Sequence, residues 1–301
     1  MHDAMHLIVG PGALGRLVAL HLAGVAPVAV AGRRTLPAAQ TLVTPEGVRR
    51  TVPLDMTTLA ELPPLAPAYL HLTTKAYDAH AAYESAMARL AGAPILVLWQ
   101  NGYQVQPELQ RRHPGPVLCA STTEGAWLTG DEGVTHAGRG ITYLGDLSGH
   151  HVERCRELAA TLNRAGLTAE AVADIETRLW HKLAINAAIN PLVARYRIRN
   201  GQLRDRPFRP MVERVVDEVA AIMAKVGVSP PPAGWHALVW QVIEGTANNR
   251  ASMLQDVLAG RPTERDAILG PLLAAAQRHG LDTPCLEALY GYLARGSVTL
   301  R

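Results

Sequence analysis

A short apolar run, His6-Leu7-Ile8-Val9, opens directly into Gly10-Pro11-Gly12-Ala13-Leu14-Gly15, and no other stretch constrains the fold of this chain so tightly. An apolar run without alternation describes a strand buried on both faces, as in a parallel sheet. The G-x-G-x-x-G spacing gains physical meaning when it lies between such a strand and a helix. Gly10 permits the tight turn and Gly12 lets a pyrophosphate approach the backbone. Gly15 permits close packing of the helix, whose first N–H groups face the anion. That helix is predicted over about Ala13–Ala23 and the next strand over Val25–Ala31, so the chain opens on one β-α-β unit. A dinucleotide is the expected ligand; the plainer alternative is that the glycines only serve a tight turn.

The second strand runs into Ala31-Gly32-Arg33-Arg34, where an enzyme using NAD carries Asp or Glu for the ribose hydroxyls. Two guanidinium groups instead offer charge and donor forks to a 2′-phosphate. NADP(H) is therefore the expected cofactor, with Arg33 in its groove. A solvated pair of loop arginines is the alternative.

Further short apolar runs at Tyr69–Thr73 and Ile95–Trp99 flank a helical stretch from about Tyr77 to Leu90, which predicts a mostly parallel sheet. Val117–Ala120, Val134–Ala137 and Ile141–Leu144 read as later strands. The last two are joined across Gly138-Arg139-Gly140 in hairpin fashion and are expected to extend the sheet antiparallel. From Ile175 the apolar spacing becomes three and four, with breakers at Pro191, Gly227, Pro230–Pro232, Gly260 and Gly280. The expected fold is an α/β N-terminal Rossmann-type domain over 1–172, followed by an all-α C-terminal domain over 173–301.

Composition excludes several classes. Hydrophobic residues are 48% and charged residues 18%, which suits compact globular domains rather than a disordered chain. The 29 basic and 26 acidic residues are scattered, without the clustered stripe of a nucleic-acid binder. Three cysteines, Cys119, Cys155 and Cys285, support neither a disulfide framework nor a metal site and fit a reducing cytoplasm. No secretory leader is read at the N-terminus, and no apolar stretch reaches the roughly 20 residues of a membrane span, so a soluble protein is expected.

Leu179–Tyr196 reads as a strongly apolar helix, yet Lys182, Asn186 and Asn190 recur every four residues and form a polar line on one face. Burying them without partners would be costly, so they are expected to face a cleft. A partly desolvated lysine there becomes a proton donor near neutral pH, and the amides can bind a carboxylate or hydroxyl. The alternative is Lys182 snorkelling at the surface with the asparagines bonded to nearby backbone. Pro191 is expected to kink this helix. Ser252 with Gln255 fits a capping box, which makes Ser252 an N-cap and a place to meet an anion. Glu264 follows Arg261-Pro262-Thr263 and falls in the first turn of a further helix, where the dipole alone accounts for a carboxylate.

Together these segments resemble the ketopantoate reductase family over nearly the whole chain. The resemblance is carried by Gly10–Gly15, Thr73-Thr74-Lys75-Ala76-Tyr77-Asp78, Gln100-Asn101-Gly102 and Thr122–Ala126. It continues through Lys182–Pro191, Asn200-Gly201, Ser252–Asp256 and Thr263-Glu264. It implies an NADP-binding Rossmann domain, a helical domain with the active site in the cleft between them, and reduction of 2-dehydropantoate to pantoate, a step toward coenzyme A. Lys182 is implied as the general acid, and Glu264 as the group that holds it and contacts the cofactor ribose. Asn186, Asn190, Asn200 and Ser252 are implied to bind the small 2-keto acid. Lys75, Asn101 and Ala126 are implied to line the nicotinamide half of a groove begun by Gly10, Pro11, Gly12, Ala13, Leu14 and Gly15.

One departure is Gln104, where the family repeats glycine, so the loop after Asn101 is expected to differ in shape. Arg195, Arg197 and Arg199 make the approach to Asn200 basic, which would suit a larger or more anionic substrate; a solvated helix end is the preferred reading. The apolar helical half leaves room for a homodimer interface. Two alternatives remain at this stage: a paralogue reducing another 2-keto acid, and a non-catalytic NADP-sensing protein.

Overall fold

The computed structural model describes residues 4–295. The chain divides into two compact units, one of Met1–Gln100 with Val105–Glu176 and the other of Asn101–Gln104 with Thr177–Arg301.

In the first unit the apolar run forms β1 (His6–Val9), all four residues buried, followed by α1 (Ala13–Leu22) and β2 (Val28–Gly32). β2 starts later than its apolar pattern suggested, because Val25 and Ala26 donate backbone hydrogen bonds to Leu22 and prolong the end of α1. Two exposed-edged strands, β3 (Ala39–Val43) and β4 (Arg49–Pro53), precede β5 (Asp55–Thr58) and β6 (Tyr69–Leu72). Then come α2 (Ala76–Met87), β7 (Ile95–Leu98), α3 (Val105–Arg112) and β8 (Val117–Thr122). β9 (Gly125–Leu128), β10 (Gly133–Gly138), β11 (Thr142–Gly145), α4 (Val152–Arg164) and β12 (Ala169–Ala171) complete the unit.

The main sheet has the order β12-β11-β8-β7-β6-β1-β2-β5. β1 pairs in parallel with both β2 and β6, so the strand order reverses direction between β1 and β6. Ligands of open α/β sheets bind beyond the carboxyl ends of the strands at such a reversal. The glycine turn follows β1 there, and Thr73-Thr74-Lys75 follows β6.

The expected β10–β11 hairpin does not form. β10 lies in a second sheet, ordered β4-β3-β10-β9, while β11 pairs antiparallel with β8 in the main one. The intervening loop is drawn across instead: Glu124 Oε2 accepts from Gly140 N at 2.9 Å and lies 2.6 Å from His136 Nε2. A Cβ at Gly140 would lie 2.4 Å from the Thr123 carbonyl carbon, so only glycine permits the crossing.

Apart from the Asn101–Gln104 loop, the described part of the second unit is made of helices and the loops that join them. α5 (Ile175–Tyr196) is followed by a 3-10 turn at Asn200–Arg204, then α6 (Arg209–Val226) and α7 (Gly234–Gly245). α8 (Ser252–Leu258), α9 (Arg265–Ile268), α10 (Gly270–His279) and α11 (Pro284–Arg295) close it. Leu183, Ala187 and Val193 of α5 pack with Val215, Val219 and Ile222 of α6 and Leu272 of α10 in one apolar core. The predicted capping box at Ser252 is absent. Ala251 takes the cap position without a side-chain bond, Ser252 is the first helical residue, and Gln255 donates to the Arg250 carbonyl at 3.1 Å. No described helix is long and apolar enough to cross a membrane.

Candidate functional site

The glycine turn is held from below by Thr73, whose hydroxyl donates to the carbonyls of Val9 (3.0 Å) and Gly10 (2.7 Å). Gly10 sits at φ +106, and a Cβ there would lie 2.7 Å from Thr74 N. Gly15 is tighter still, with a Cβ 2.1 Å from the Gly10 carbonyl oxygen. Gly12 differs from both. It is the exposed N-cap of α1, has ordinary extended backbone, and nothing lies within 4 Å of its would-be Cβ. No side chain caps the helix there, so its first N–H groups remain for an anion. Beside the turn, Thr74 Oγ1 is buried without a hydrogen bond in the protein. Open space above one glycine, an uncapped helix start and an unsatisfied hydroxyl together fit a phosphate-bearing dinucleotide.

Pro11 packs its ring over Gly32, where a Cβ would come within 2.7 Å, so the turn fixes the end of β2 and the two arginines after it. Arg33 is 87% exposed and has a loose 3.6 Å ion pair with Asp78. Arg34 is gripped by both oxygens of Asp131, at 2.8 and 2.5 Å. Lys75 occupies the N-cap of α2, and Ala126 lies half-buried on β9 opposite His136.

In the second unit Lys182 is half-buried on α5, and burial brings its pKa down to about 8 while the Glu264 carboxylate works to raise it. Glu264 is 5% exposed and forms the N-cap of α9, one position ahead of the expected first turn. Asn101 Nδ2 donates to its Oε2 at 3.1 Å. Lys182 thus interacts with a buried acid rather than snorkelling away. Three sequence-expected residues from distant segments, Asn101, Lys182 and Glu264, meet here.

The loop bearing Asn101 is fitted to this unit by its neighbours. Gly102 has φ +89, and a Cβ there would lie 2.1 Å from the Ala267 carbonyl, just beyond Glu264. Tyr103 stacks on Trp180 with ring centroids 4.7 Å apart. Asn186 and Asn190 continue the line of Lys182 along α5, the first half-buried and the second buried. Asn200 is elsewhere: buried on the 3-10 turn, it donates from Nδ2 to Thr246 Oγ1 at 2.9 Å, and its Oδ1 has no protein partner. Ser252 is exposed at the start of α8. Arg195 lies over the rings of Tyr196 and Tyr292, and Arg197 and Arg199 are exposed, as a solvated helix end requires.

Two supports escaped the sequence. Arg16 is 2% exposed; its Nε donates to the Pro11 carbonyl at 2.9 Å and its Nη1 to the carbonyls of Gly130 and Asp131, each at 3.0 Å. An arginine in a first helix reads as a surface residue, and no local signal marks it otherwise. Asp256 is buried and takes Arg261 Nε and Nη2 on Oδ1 at 3.0 and 2.9 Å, fixing the loop that delivers Glu264. Its presence in the Ser252–Asp256 motif was the available signal.

A doubly wound sheet with a glycine turn at its reversal point, followed in the chain by a helical unit with a lysine–glutamate pair, defines a Rossmann-type oxidoreductase. Residues 6–149 match the family described as ketopantoate reductase PanE/ApbA, and residues 174–296 match its C-terminal part. The chain belongs to the ketopantoate reductase family. The 2-dehydropantoate 2-reductase of Vibrio cholerae is 35% identical over 288 residues, covering 94% of this chain and 95% of that protein. The 2-dehydropantoate 2-reductase of Archaeoglobus fulgidus is 35% identical over 294 residues, 96% of each chain. The fold also matches the ternary structure of D-mandelate dehydrogenase with NADH and anilino(oxo)acetate, at a TM-score of 0.88 and 19% identity over 97% and 98% of the two chains.

Proposed function

We propose that this protein reduces 2-dehydropantoate to pantoate with NADPH, using Lys182 as the general acid. The observation that carries the reading is the meeting of Lys182, Glu264 and Asn101. Burial brings the lysine to about 8, so near neutral pH it is mostly protonated yet ready to release its proton. Glu264 keeps the charged form favourable, and Asn101 fixes one oxygen of that carboxylate.

The reduced nicotinamide, when bound, supplies the hydride. Lys182 Nζ gives a proton to the C2 oxygen as that oxygen gains negative charge, so its stabilisation is greater in the transition state than in the ground state. Asn186, Asn190 and Asn200 are assigned to the substrate's carboxylate and hydroxyl. The unpartnered Oδ1 of Asn200 supports an acceptor role toward a hydroxyl. Ser252 is assigned as a substrate contact from the start of α8. On the cofactor, Gly10–Gly15 take the pyrophosphate and Arg33 the 2′-phosphate. Lys75, Asn101 and Ala126 are assigned to the nicotinamide half, and Glu264 to a ribose hydroxyl. The reading carries with it a reducing cytoplasm, supported by three free thiols.

The test is NADPH oxidation by the purified protein with 2-dehydropantoate beside pyruvate, 2-ketoisovalerate and oxaloacetate, and with NADH as the control. Turnover is expected with 2-dehydropantoate and NADPH. Preferential turnover of another keto acid would overturn the substrate, and dinucleotide binding without any turnover would overturn the activity.

A further inference from the structure

We propose that Asp131 sets how strongly this protein prefers NADPH to NADH, by occupying Arg34 so that Arg33 alone is left to meet the 2′-phosphate. This rests on the reading above that the dinucleotide is NADP(H).

The two arginines stand side by side at the end of β2, where a Rossmann unit meets the adenosine ribose. Their surroundings differ. Arg33 reaches Asp78 only at 3.6 Å, whereas Arg34 Nη1 and Nη2 donate to the two oxygens of Asp131 at 2.8 and 2.5 Å. An exposed ion pair is usually weak because both chains are free to wander. Asp131 is not free in this way. Its carbonyl oxygen accepts from Arg16 Nη1 at 3.0 Å and from Gln40 Nε2 at 2.9 Å, and both donors belong to buried residues. The same Arg16 guanidinium donates to Pro11 O in the glycine turn. The acid is thereby pinned to the turn itself, in the hairpin between β9 and β10.

A 2′-phosphate arriving at β2 has to compete with Asp131 for the donor fork of Arg34 and meets the repulsion of a fixed carboxylate. A ribose 2′-hydroxyl meets neither obstacle, and a carboxylate near the end of β2 is the group that accepts from it in enzymes using NAD. Asp131 therefore acts against NADPH and not against NADH. Its side chain is about half exposed and its anchoring runs through its backbone carbonyl, so neutralising the carboxylate leaves the Arg16 bracket in place.

The experiment is titration of both reduced dinucleotides into the parent and three variants, read by nicotinamide fluorescence, with thermal melts to check folding. Asp131→Asn is expected to tighten NADPH by about fivefold, the upper range for an exposed ion pair, and to leave NADH unchanged or weaker. Arg34→Ala exposes the unneutralised carboxylate and is expected to weaken NADPH more than NADH. The double variant should return NADPH affinity toward the parent value. If the parent prefers NADPH and Asp131→Asn leaves the NADPH-to-NADH ratio unchanged or lowers it, the inference alone is overturned. A parent that binds neither dinucleotide overturns the NADP reading and the inference with it. A parent that prefers NADH likewise overturns the NADP reading and the inference with it.

Discussion

At Gly10, Gly12 and Gly15 side chains are kept out, and around Lys182 they are brought in. The glycine turn is six consecutive residues whose value lies in backbone conformation, absent Cβ atoms and unused N–H groups. The lysine site is assembled from Asn101, Lys182 and Glu264, whose value lies in charge and burial. Binding a phosphate needs donors that are already fixed, and backbone supplies them with little local sequence. Shifting the pKa of a lysine needs desolvation and one opposing acid, which only tertiary structure can bring together. The sharpest way to break this contrast is Lys182→Ala. It is expected to lower kcat by about a hundredfold to ten-thousandfold, the usual scale of general acid catalysis, while NADPH affinity stays at the parent value. Near-normal turnover would remove the lysine from the mechanism. Glu264→Gln tests the same site through pH. The carboxylate raises the lysine pKa against burial, so its loss lets Lys182 deprotonate at lower pH. In the parent, kcat should fall as pH rises through about 8, and in Glu264→Gln the fall should begin earlier. An alkaline limb that does not move would separate Glu264 from the acid.

The turn is tested by two substitutions of the same size with opposite readouts. Gly15→Ala pushes a methyl to within 2.1 Å of the Gly10 carbonyl, so the melting temperature should drop, by an amount corresponding to the roughly 1–3 kcal/mol cost of overpacking. Gly12→Ala meets no protein atom within 4 Å and keeps an ordinary φ of −74. Its melting temperature should fall less than that of Gly15→Ala, since the only loss is that alanine is a poorer N-cap than glycine, while NADPH binding weakens at the point where the pyrophosphate approaches. A Gly12→Ala protein that binds NADPH as the parent does would show that the open face over Gly12 is not where the phosphates lie.

The same contrast explains what could be read in advance. β1, α1 and β2 were legible because a contiguous apolar run, three spaced glycines and a second apolar run speak for themselves. β3 and β4 were not, since Gln40 is wholly buried while Arg49, Arg50 and Thr51 are exposed, a pattern without a simple period. The β10–β11 hairpin was misread because Gly138-Arg139-Gly140 has turn chemistry whichever sheet follows, and the contacts that hold the crossing come from Glu124, outside the segment. Lys182 and the two asparagines stood out as polar residues at a spacing of four in an apolar helix. Glu264 was undistinguished locally and came forward only through family resemblance. Arg16 carried no sign at all, because its acceptors are mainly backbone carbonyls brought in by tertiary folding.

The smallest effect is expected at the loop that follows Asn101. Gln104 was expected to give this loop a different shape, yet among the described residues the non-glycine with positive φ is Arg197, so Gln104 has an ordinary backbone. The glycine this loop requires is Gly102, at φ +89 and pressed against Ala267. Gln104 instead lines a cavity of about 540 Å³ with Tyr103, Trp180 and Tyr290. Gln104→Gly should therefore leave kcat and the KM for both substrates where they are. It should cost about 0.4–1 kcal/mol of stability, because glycine adds freedom to the unfolded chain without relieving any strain in the folded one. A clear change in KM with unchanged stability would mean that the side chain of Gln104 takes part in binding, and the loop would then belong with Lys182 as a place where this chain has been tuned.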